Sequence, residues 1–353
     1  MSSKRFLQVD ILRIIAMFSI VTLYVINLGG ALNLLSFNVN ALIIRIVYIL
    51  SFASVNIFAM ITGYLYCNKE SVKVNRLVDL LIVTLLWSLI ITSVLYILGY
   101  INGIKEIVVS LFPFLRNRYW YIVCYVFVYL LIPYINRFIH GMSKIEMKRF
   151  ILITLLLMSV IPTVMITDIF RENTGSSPWW LIECYIIGAY FRKYGVVNTK
   201  KYLYAFLISL SFVLLWWNGL ECITIRLFGE SKMTMIFFKA YYTIPNVLMS
   251  VSIFVFFMCH SFSIKSQIES MIHSLSSKMF GVYIIHSHIF LWERVITHIL
   301  HRLYNYSLNV VFVLGCILVL FVICIILECV REYLFKLFKI DRIISKIKGE
   351  VKV

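Results

Sequence analysis

The chain has 353 residues, of which 62% are hydrophobic and only 14% are charged, and its mean hydropathy is +0.94. Ordinary soluble domains are about 45–50% apolar and about 25% charged. A soluble protein of this length cannot bury so much apolar surface. The composition therefore excludes a soluble enzyme, a disordered chain and a disulfide scaffold, and it predicts a membrane protein with several spans.

The apolar residues fall into runs of the length that a membrane span requires. A hydrocarbon core of about 30 Å needs roughly 20 apolar helical residues. About ten runs qualify, in chain order 7–29, 40–67, 76–99, 119–139, 150–168, 178–195, 201–219, 236–259, 279–298 and 309–332. The sixth run is short and the second is long, which indicates tilt or a break, and residues 106–115 are expected at the membrane interface. The predicted fold class is an all-α, polytopic membrane helix bundle forming a single domain over residues 1–353.

The charged residues indicate how the chain is oriented. The net charge is +17, and the basic residues lie in short clusters between apolar runs rather than on one solvated face. That distribution argues against a nucleic-acid partner. Most of the 33 Lys and Arg residues lie on the same side as the N terminus, which the positive-inside rule makes cytoplasmic. An even number of spans then places both termini in the cytoplasm of a plasma-membrane protein.

The first run differs from a cleaved signal peptide. It carries Asp10 and Arg13 and has no small-residue cleavage site, so we expect it to be retained as a helix. Asp10 and Arg13 are three residues apart and can pair on one helix face. Arg13 and Tyr24 also share a face, about 16 Å apart along the axis. Spacing alone leaves two interpretations of these three residues. They form either a functional site or a buried ion pair followed by an interfacial tyrosine.

Several segments together carry a resemblance to a known family. The first helix, DILRIIAMFSIVTLYVINL (10–28), resembles a D-x-L-R-x-x-A pattern that is followed by a histidine eleven residues after the arginine. Weaker similarities continue in NIFAMITGYLYCNK (56–69), RYWYIVCYVFVYLLIPYI (118–135), IIGAYFRK (186–193) and FGVYIIHSHIFLW (280–292). Their order and spacing resemble the acyltransferase-3 family of integral membrane O-acyltransferases.

The resemblance implies roles for individual residues. Arg13 matches an arginine that handles the acyl-CoA donor, and Asp10 matches its neighbouring acid. At the position of the catalytic histidine this chain has Tyr24, and a tyrosine with a reference pKa of about 10 is a poor general base. Three explanations remain open: an inactive relative, a second base recruited from elsewhere, or an altered residue at position 24. His286 matches the family's Y-x-x-H piece and is the candidate second base, although a buried histidine is more often structural.

Aromatic and charged residues near the outer ends of spans allow two interpretations. Trp120 and Tyr121 are either members of the interfacial aromatic belt or a platform on which a sugar ring stacks. Arg45, near the outer end of its span, is expected to snorkel towards water. The eight cysteines show no metal-ligand spacing, so we interpret them as packing residues and expect no metal.

The resemblance implies a membrane enzyme that moves an acyl group, most simply acetyl from acetyl-CoA, to a glycan hydroxyl. The expected partners are acyl-CoA, a cell-surface glycan or lipid-linked saccharide, and membrane lipids. The alternative is a catalytically silent relative that transports a polysaccharide or solute, or that binds one as a subunit of a larger machine.

Overall fold

The computed structural model describes residues 6–34, 38–114, 119–196, 199–228, 239–306 and 309–339, and within these ranges the regular structure is helical, without a strand. The α-helices are α1 Leu7–Asn27, α2 Val39–Ser51, α3 Ala53–Tyr66, α4 Val74–Ile97, α5 Ile104–Ser110, α6 Trp120–His140, α7 Lys144–Leu155, α8 Ile161–Met165, α9 Pro178–Tyr194, α10 Thr199–Phe228, α11 Ile244–Cys259, α12 Ser266–His286, α13 Ile289–Leu291, α14 Thr297–Tyr306 and α15 Val310–Leu337. Single 3-10 turns cover Ala31–Leu34 and Asn173–Gly175, and π turns cover Leu156–Val160 and Trp292–Ile296.

Seven helical segments in the described residues are long and apolar enough to cross a membrane. They are Leu7–Asn27, Val39–Tyr66, Val74–Ile97, Trp120–His140, Lys144–Met165, Thr199–Leu227 and Val310–Leu337. The shorter apolar helix Ile244–Cys259 lies in the eighth predicted run, whose residues 236–238 are outside the described ranges. The sixth predicted run coincides with the 17-residue helix α9. The chain is thus a multi-pass membrane protein with an all-helical fold, as the composition predicts.

The second and ninth predicted runs are each interrupted. The long second run divides at Phe52 into α2 and α3, as its length suggested. The ninth run, predicted as one span over 279–298, is not a continuous helix, because α12 ends at His286 and His288 has extended backbone angles. The Trp292 indole N–H donates to the His286 carbonyl oxygen. The indole thereby satisfies a carbonyl that a continuous helix would pair with a backbone N–H four residues later.

The chain divides into two compact units. The first comprises Met1–Ile20, Leu42–Ser71 and Phe127–Lys265, and the second comprises Val21–Ala41, Val72–Val126 and Ser266–Val353. Helices α1, α2 and α6 contribute residues to both.

Close contact between α3 and α9 organises the first unit. A methyl group on Gly63 would overlap the Tyr185 carbonyl oxygen, and one on Gly188 would overlap the Met60 carbonyl oxygen. The two helix backbones therefore touch at reciprocal glycines, the small-residue packing typical of membrane helices. Asn56 on α3 reinforces this contact by accepting a hydrogen bond from Trp180 Nε1 at 2.8 Å.

The expectation that Arg45 snorkels is wrong. Its side chain is buried, forms an ion pair with the buried Glu221 of α10, and lies with its guanidinium carbon 5.0 Å from the centre of the Trp217 ring. The predicted seventh run ended at residue 219, whereas α10 continues to Phe228 and brings Glu221 opposite the arginine. A buried carboxylate partner removes the reason for the side chain to reach towards water.

A second buried carboxylate ties α4, α12 and α15 together in the second unit. Glu328 on α15 accepts a hydrogen bond from Trp87 Nε1 at 2.9 Å and another from Arg331 Nε at 3.0 Å. Gly281 on α12 lies against this carboxylate so closely that a methyl group would overlap it. The three helices thus pack around the Glu328 carboxylate, which has hydrogen-bond donors within the fold. Of these helices, α12 carries His286 at its C-terminal end.

Candidate active site

The polar pair predicted on the first helix forms as expected. Arg13 Nη1 lies 3.1 Å from Asp10 Oδ1. Asp10 is 1% exposed, whereas the Arg13 side chain retains 31% exposure. The buried carboxylate therefore orients a guanidinium that still has accessible N–H groups. Both residues belong to the first unit.

Tyr24, further along α1, belongs to the second unit and lies against two aromatic side chains. Its ring centre is 4.9 Å from that of His286, with the planes at 80°, and 5.7 Å from that of Trp292. The edge-to-face arrangement with His286 is a favourable packing geometry for aromatic rings. Tyr24 is partly exposed, whereas His286 and Trp292 are buried.

The hydrogen bonds of His286 determine the state of its ring. Nδ1 lies 2.7 Å from the Val282 carbonyl oxygen, one helical turn earlier. A carbonyl only accepts, so Nδ1 carries the proton in the neutral ring and Nε2 carries the lone pair. The side chain is 0% exposed, and Nε2 has no hydrogen-bond partner among the described residues. The ring therefore presents a buried, unused acceptor nitrogen.

A series of ring contacts connects His286 to the predicted sugar platform. The His286 and Tyr283 ring centres are 5.8 Å apart, those of Tyr283 and Tyr121 are 6.0 Å apart, and those of Tyr121 and Trp120 are 5.6 Å apart. Trp120 and Tyr121 remain partly exposed. We call this set the aromatic cluster; its members are Tyr24, Trp120, Tyr121, Tyr283, His286 and Trp292.

The structure thus brings together four of the six residues that the sequence singled out. Tyr24, His286, Trp120 and Tyr121 belong to the aromatic cluster, whereas Asp10 and Arg13 form a pair of their own. Within the described part of the chain, no three His, Cys, Asp or Glu side chains are grouped so as to hold a metal.

Sequence reasoning missed two members of the aromatic cluster. Tyr283 precedes His286 by one helical turn, so the i, i+3 spacing could have revealed it. Trp292 could not be found in this way, because a continuous helix would not place it beside His286. It reaches the cluster through the break after α12.

Comparison with known families identifies the family of the chain. The sequence model of the acyltransferase-3 family, described as an acyltransferase domain, matches residues 6–329. The chain belongs to the acyltransferase-3 family. The match covers nearly the whole chain, including every residue of the aromatic cluster and the Asp10–Arg13 pair. No curated protein and no solved structure matches the chain.

Membership in the acyltransferase-3 family gives the aromatic cluster its chemical context. Acyl transfer to a hydroxyl requires a group that accepts the hydroxyl proton and an environment that excludes competing water. His286 Nε2 is a buried acceptor without a hydrogen-bond partner among the described residues, and the Tyr24 ring packs against the rings of both His286 and Trp292.

Proposed function

We propose that this protein is a membrane O-acyltransferase that moves an acyl group, acetyl in the first instance, from cytoplasmic acyl-CoA to a hydroxyl of an extracytoplasmic or lipid-linked surface glycan. The observation that supports it best is the aromatic cluster, in which a buried histidine with an unused acceptor nitrogen is connected to a partly exposed Trp–Tyr platform. Ionisable side chains inside membrane spans are costly and usually functional. Membership in an acyltransferase family supports the same activity.

The donor is assigned to the Asp10–Arg13 end of α1. CoA carries several phosphate charges, and an arginine held by a buried carboxylate offers them oriented N–H donors. Arg13 and Tyr24 lie on one continuous helix, so the helical rise separates them by about 16 Å. In this proposal the pantetheine arm extends along α1, and the thioester reacts near Tyr24.

The acceptor is assigned to Trp120 and Tyr121. A sugar ring has apolar C–H faces that pack on aromatic rings, while its hydroxyls stay available for reaction. Both side chains are partly exposed, and Tyr121 is connected to His286 through Tyr283. An acceptor stacked on this platform would present a hydroxyl towards the histidine.

The reaction is a direct transfer from sulfur to oxygen. The acceptor oxygen attacks the thioester carbonyl carbon, the new C–O bond forms, and the C–S bond breaks. The products are an O-acyl ester and the free thiol of CoA. The hydroxyl proton must leave the acceptor and reach the departing sulfur, so a side chain in the site has to accept and return it.

Acetyl-CoA binding by the purified protein in nanodiscs tests the donor assignment. We expect Arg13→Ala to weaken binding at least about tenfold, because a charge-assisted contact contributes roughly 1.5–3 kcal/mol. Arg294→Ala, which removes an exposed arginine of the second unit, is the matched control and should bind like wild type. Unchanged affinity in Arg13→Ala would show that the donor assignment is wrong.

A transport assay separates the enzyme from a transporter. An acyltransferase acylates a glycan acceptor only when acyl-CoA is supplied, whereas a transporter moves glycan or solute across vesicles without any acyl donor. Donor-independent transport by a protein that neither binds nor consumes acetyl-CoA would replace the acyltransferase proposal.

A further inference from the structure

We infer that His286 Nε2 is the base that takes the proton from the acceptor hydroxyl, so that in this chain the catalytic base lies on α12 rather than on α1. The inference rests on the proposed function, which it deepens by assigning the proton to one atom. It also explains how the chain can be active with Tyr24 at the position where the family resemblance implies a histidine.

The tautomer of His286 is the first support. The Val282 carbonyl, 2.7 Å from Nδ1, fixes the proton on that nitrogen and leaves the Nε2 lone pair available. The same hydrogen bond strengthens when the ring becomes positively charged, because a charged donor binds an acceptor more tightly. The backbone of α12 therefore orients the ring before proton transfer and stabilises it afterwards.

The surroundings of Nε2 are the second support. A buried acceptor left without a partner costs roughly 1–3 kcal/mol, so such atoms are rare and call for an explanation. His286 is fully buried and its Nε2 has no partner among the described residues. A substrate hydroxyl donating to Nε2 would satisfy this nitrogen in the working enzyme.

Two neighbouring side chains are poorer candidates for the base. Tyr24 is a phenol, which is protonated at neutral pH unless its pKa is strongly lowered. His288 directs its Nε2 to the Thr92 hydroxyl at 3.3 Å, so that nitrogen already has a partner within the fold. His286 differs from His288 in its position: its ring centre lies 4.9 Å from that of Tyr24, the residue at which the family resemblance implies a histidine.

The proton follows a closed path. The Nε2 lone pair accepts the acceptor's hydroxyl proton as the oxygen bonds to the thioester carbon. When the tetrahedral intermediate collapses, the C–S bond breaks and the CoA sulfur leaves as a thiolate. The protonated Nε2 then donates to that sulfur, which releases the thiol and returns His286 to its neutral form.

The test compares acetyl transfer by wild type, His286→Gln and His288→Gln in nanodiscs, each checked for folding by its thermal melting curve. Loss of a general base lowers the rate by about 10²–10⁴-fold, so we expect His286→Gln to lose at least about 100-fold in kcat. His288→Gln removes a buried histidine two residues away and should keep kcat within about threefold of wild type, since it loses no general base. His286→Asn, whose amide can still donate to Val282, replaces the Gln variant if that variant does not fold.

A relocated base provides a second readout. The double variant Tyr24→His/His286→Gln places a histidine at position 24 of the protein that has lost His286. Its kcat should be at least about tenfold higher than that of His286→Gln, because a base returns to the neighbouring ring position. A His286→Gln variant with wild-type kcat would overturn the inference and leave the acyltransferase proposal intact. If wild type is inactive and the single variant Tyr24→His, which keeps His286, is active, the inference would also be overturned, because position 24 would then supply the base. Absence of acetyl-CoA binding in every variant would instead refute the proposed function.

Discussion

At the scale of single residues, Arg45, Glu221 and Glu328 are buried charged side chains that each have a specific partner. Arg45 and Glu221 are both nearly inaccessible and neutralise one another. Glu328 similarly receives hydrogen bonds from Trp87 and Arg331. Removing one member of such a pair leaves an uncompensated charge, whereas replacing both members with apolar residues removes the desolvation cost as well.

This argument predicts a non-additive pair of substitutions. Arg45→Met alone should destabilise the protein by roughly 3–5 kcal/mol, because Glu221 is left buried and unpaired. The double variant Arg45→Met/Glu221→Met should recover most of that loss. Arg294→Met, at an exposed arginine, should change stability by less than about 0.5 kcal/mol. Thermal unfolding in detergent measures all three, and equal losses in the single and double variants would contradict the argument.

Predictability at the residue scale depends on whether a contact is local. The Asp10–Arg13 pair follows from i, i+3 spacing and is confirmed at 3.1 Å. The contact of Tyr24 with His286 joins residues on different helices. The helical repeat relates residues within one helix only, so it cannot predict this contact. The burial of Arg45 likewise depends on Glu221, which lay beyond the predicted end of its span.

At the scale of elements, α3 and α9 pack through their backbones. Gly63→Ala or Gly188→Ala would force a methyl group into a main-chain carbonyl of the facing helix. We expect each to destabilise the protein by roughly 1–3 kcal/mol, the usual cost of overpacking. Gly219→Ala is the control, because nothing lies within 4 Å of the added methyl, and it should stabilise α10 by up to about 1 kcal/mol. Thermal unfolding in detergent measures the stability of each variant, and unchanged stability in Gly188→Ala would contradict the close contact.

The loop before α9 carries a pH-dependent element. Burial raises the pKa of the Glu172 carboxyl; the Asp168 charge adds to this, and the hydrogen bond from Ser177, the N-cap of α9, opposes it. A raised pKa means that the folded state favours the protonated acid. The stability that this proton provides is therefore present below the ordinary Glu value of about 4.3 and is lost as pH rises through the raised value.

Removing the carboxylate should remove this pH dependence. Between about pH 4 and the raised pKa, wild type should lose thermal stability, and Glu172→Gln should lose less over the same interval. Glu70→Gln, at an exposed glutamate, should follow the wild-type profile. Parallel profiles for wild type and Glu172→Gln would show that burial does not perturb this group.

Hydrophobic runs predicted the helices better than they predicted their interruptions. Apolar length located the spans and anticipated the division of the long second run. The break between His286 and Ile289 was missed, because the sequence YIIHSHIFLW is as apolar as that of an uninterrupted membrane helix. There a tertiary hydrogen bond from the Trp292 indole takes the place of a helical one.

At the scale of the whole molecule, the fold class and family follow from the composition and the motifs, whereas the orientation in the membrane stays a prediction. The two termini, 1–5 and 340–353, lie outside the described residues. The charge distribution predicts that Lys148 lies on the cytoplasmic side and Lys105 on the opposite side, and both side chains are exposed.

Cysteine labelling tests that orientation. In a variant whose exposed cysteines Cys222, Cys259 and Cys329 are replaced by serine, Lys105→Cys should react with a membrane-impermeant maleimide on intact cells. Lys148→Cys should react only after the membrane is permeabilised. The reverse pattern would invert the topology and remove the argument for a cytoplasmic donor.

The most direct test of the central claim is the turnover of radiolabelled acetyl-CoA by the purified wild-type protein in nanodiscs. The account predicts that the protein binds acetyl-CoA and releases free CoA faster than empty nanodiscs do, with label appearing on an added glycan acceptor. Binding without turnover, in a protein that becomes active as Tyr24→His, would keep the acyltransferase fold but contradict His286 as the base. No binding and no turnover would contradict the acyltransferase account itself.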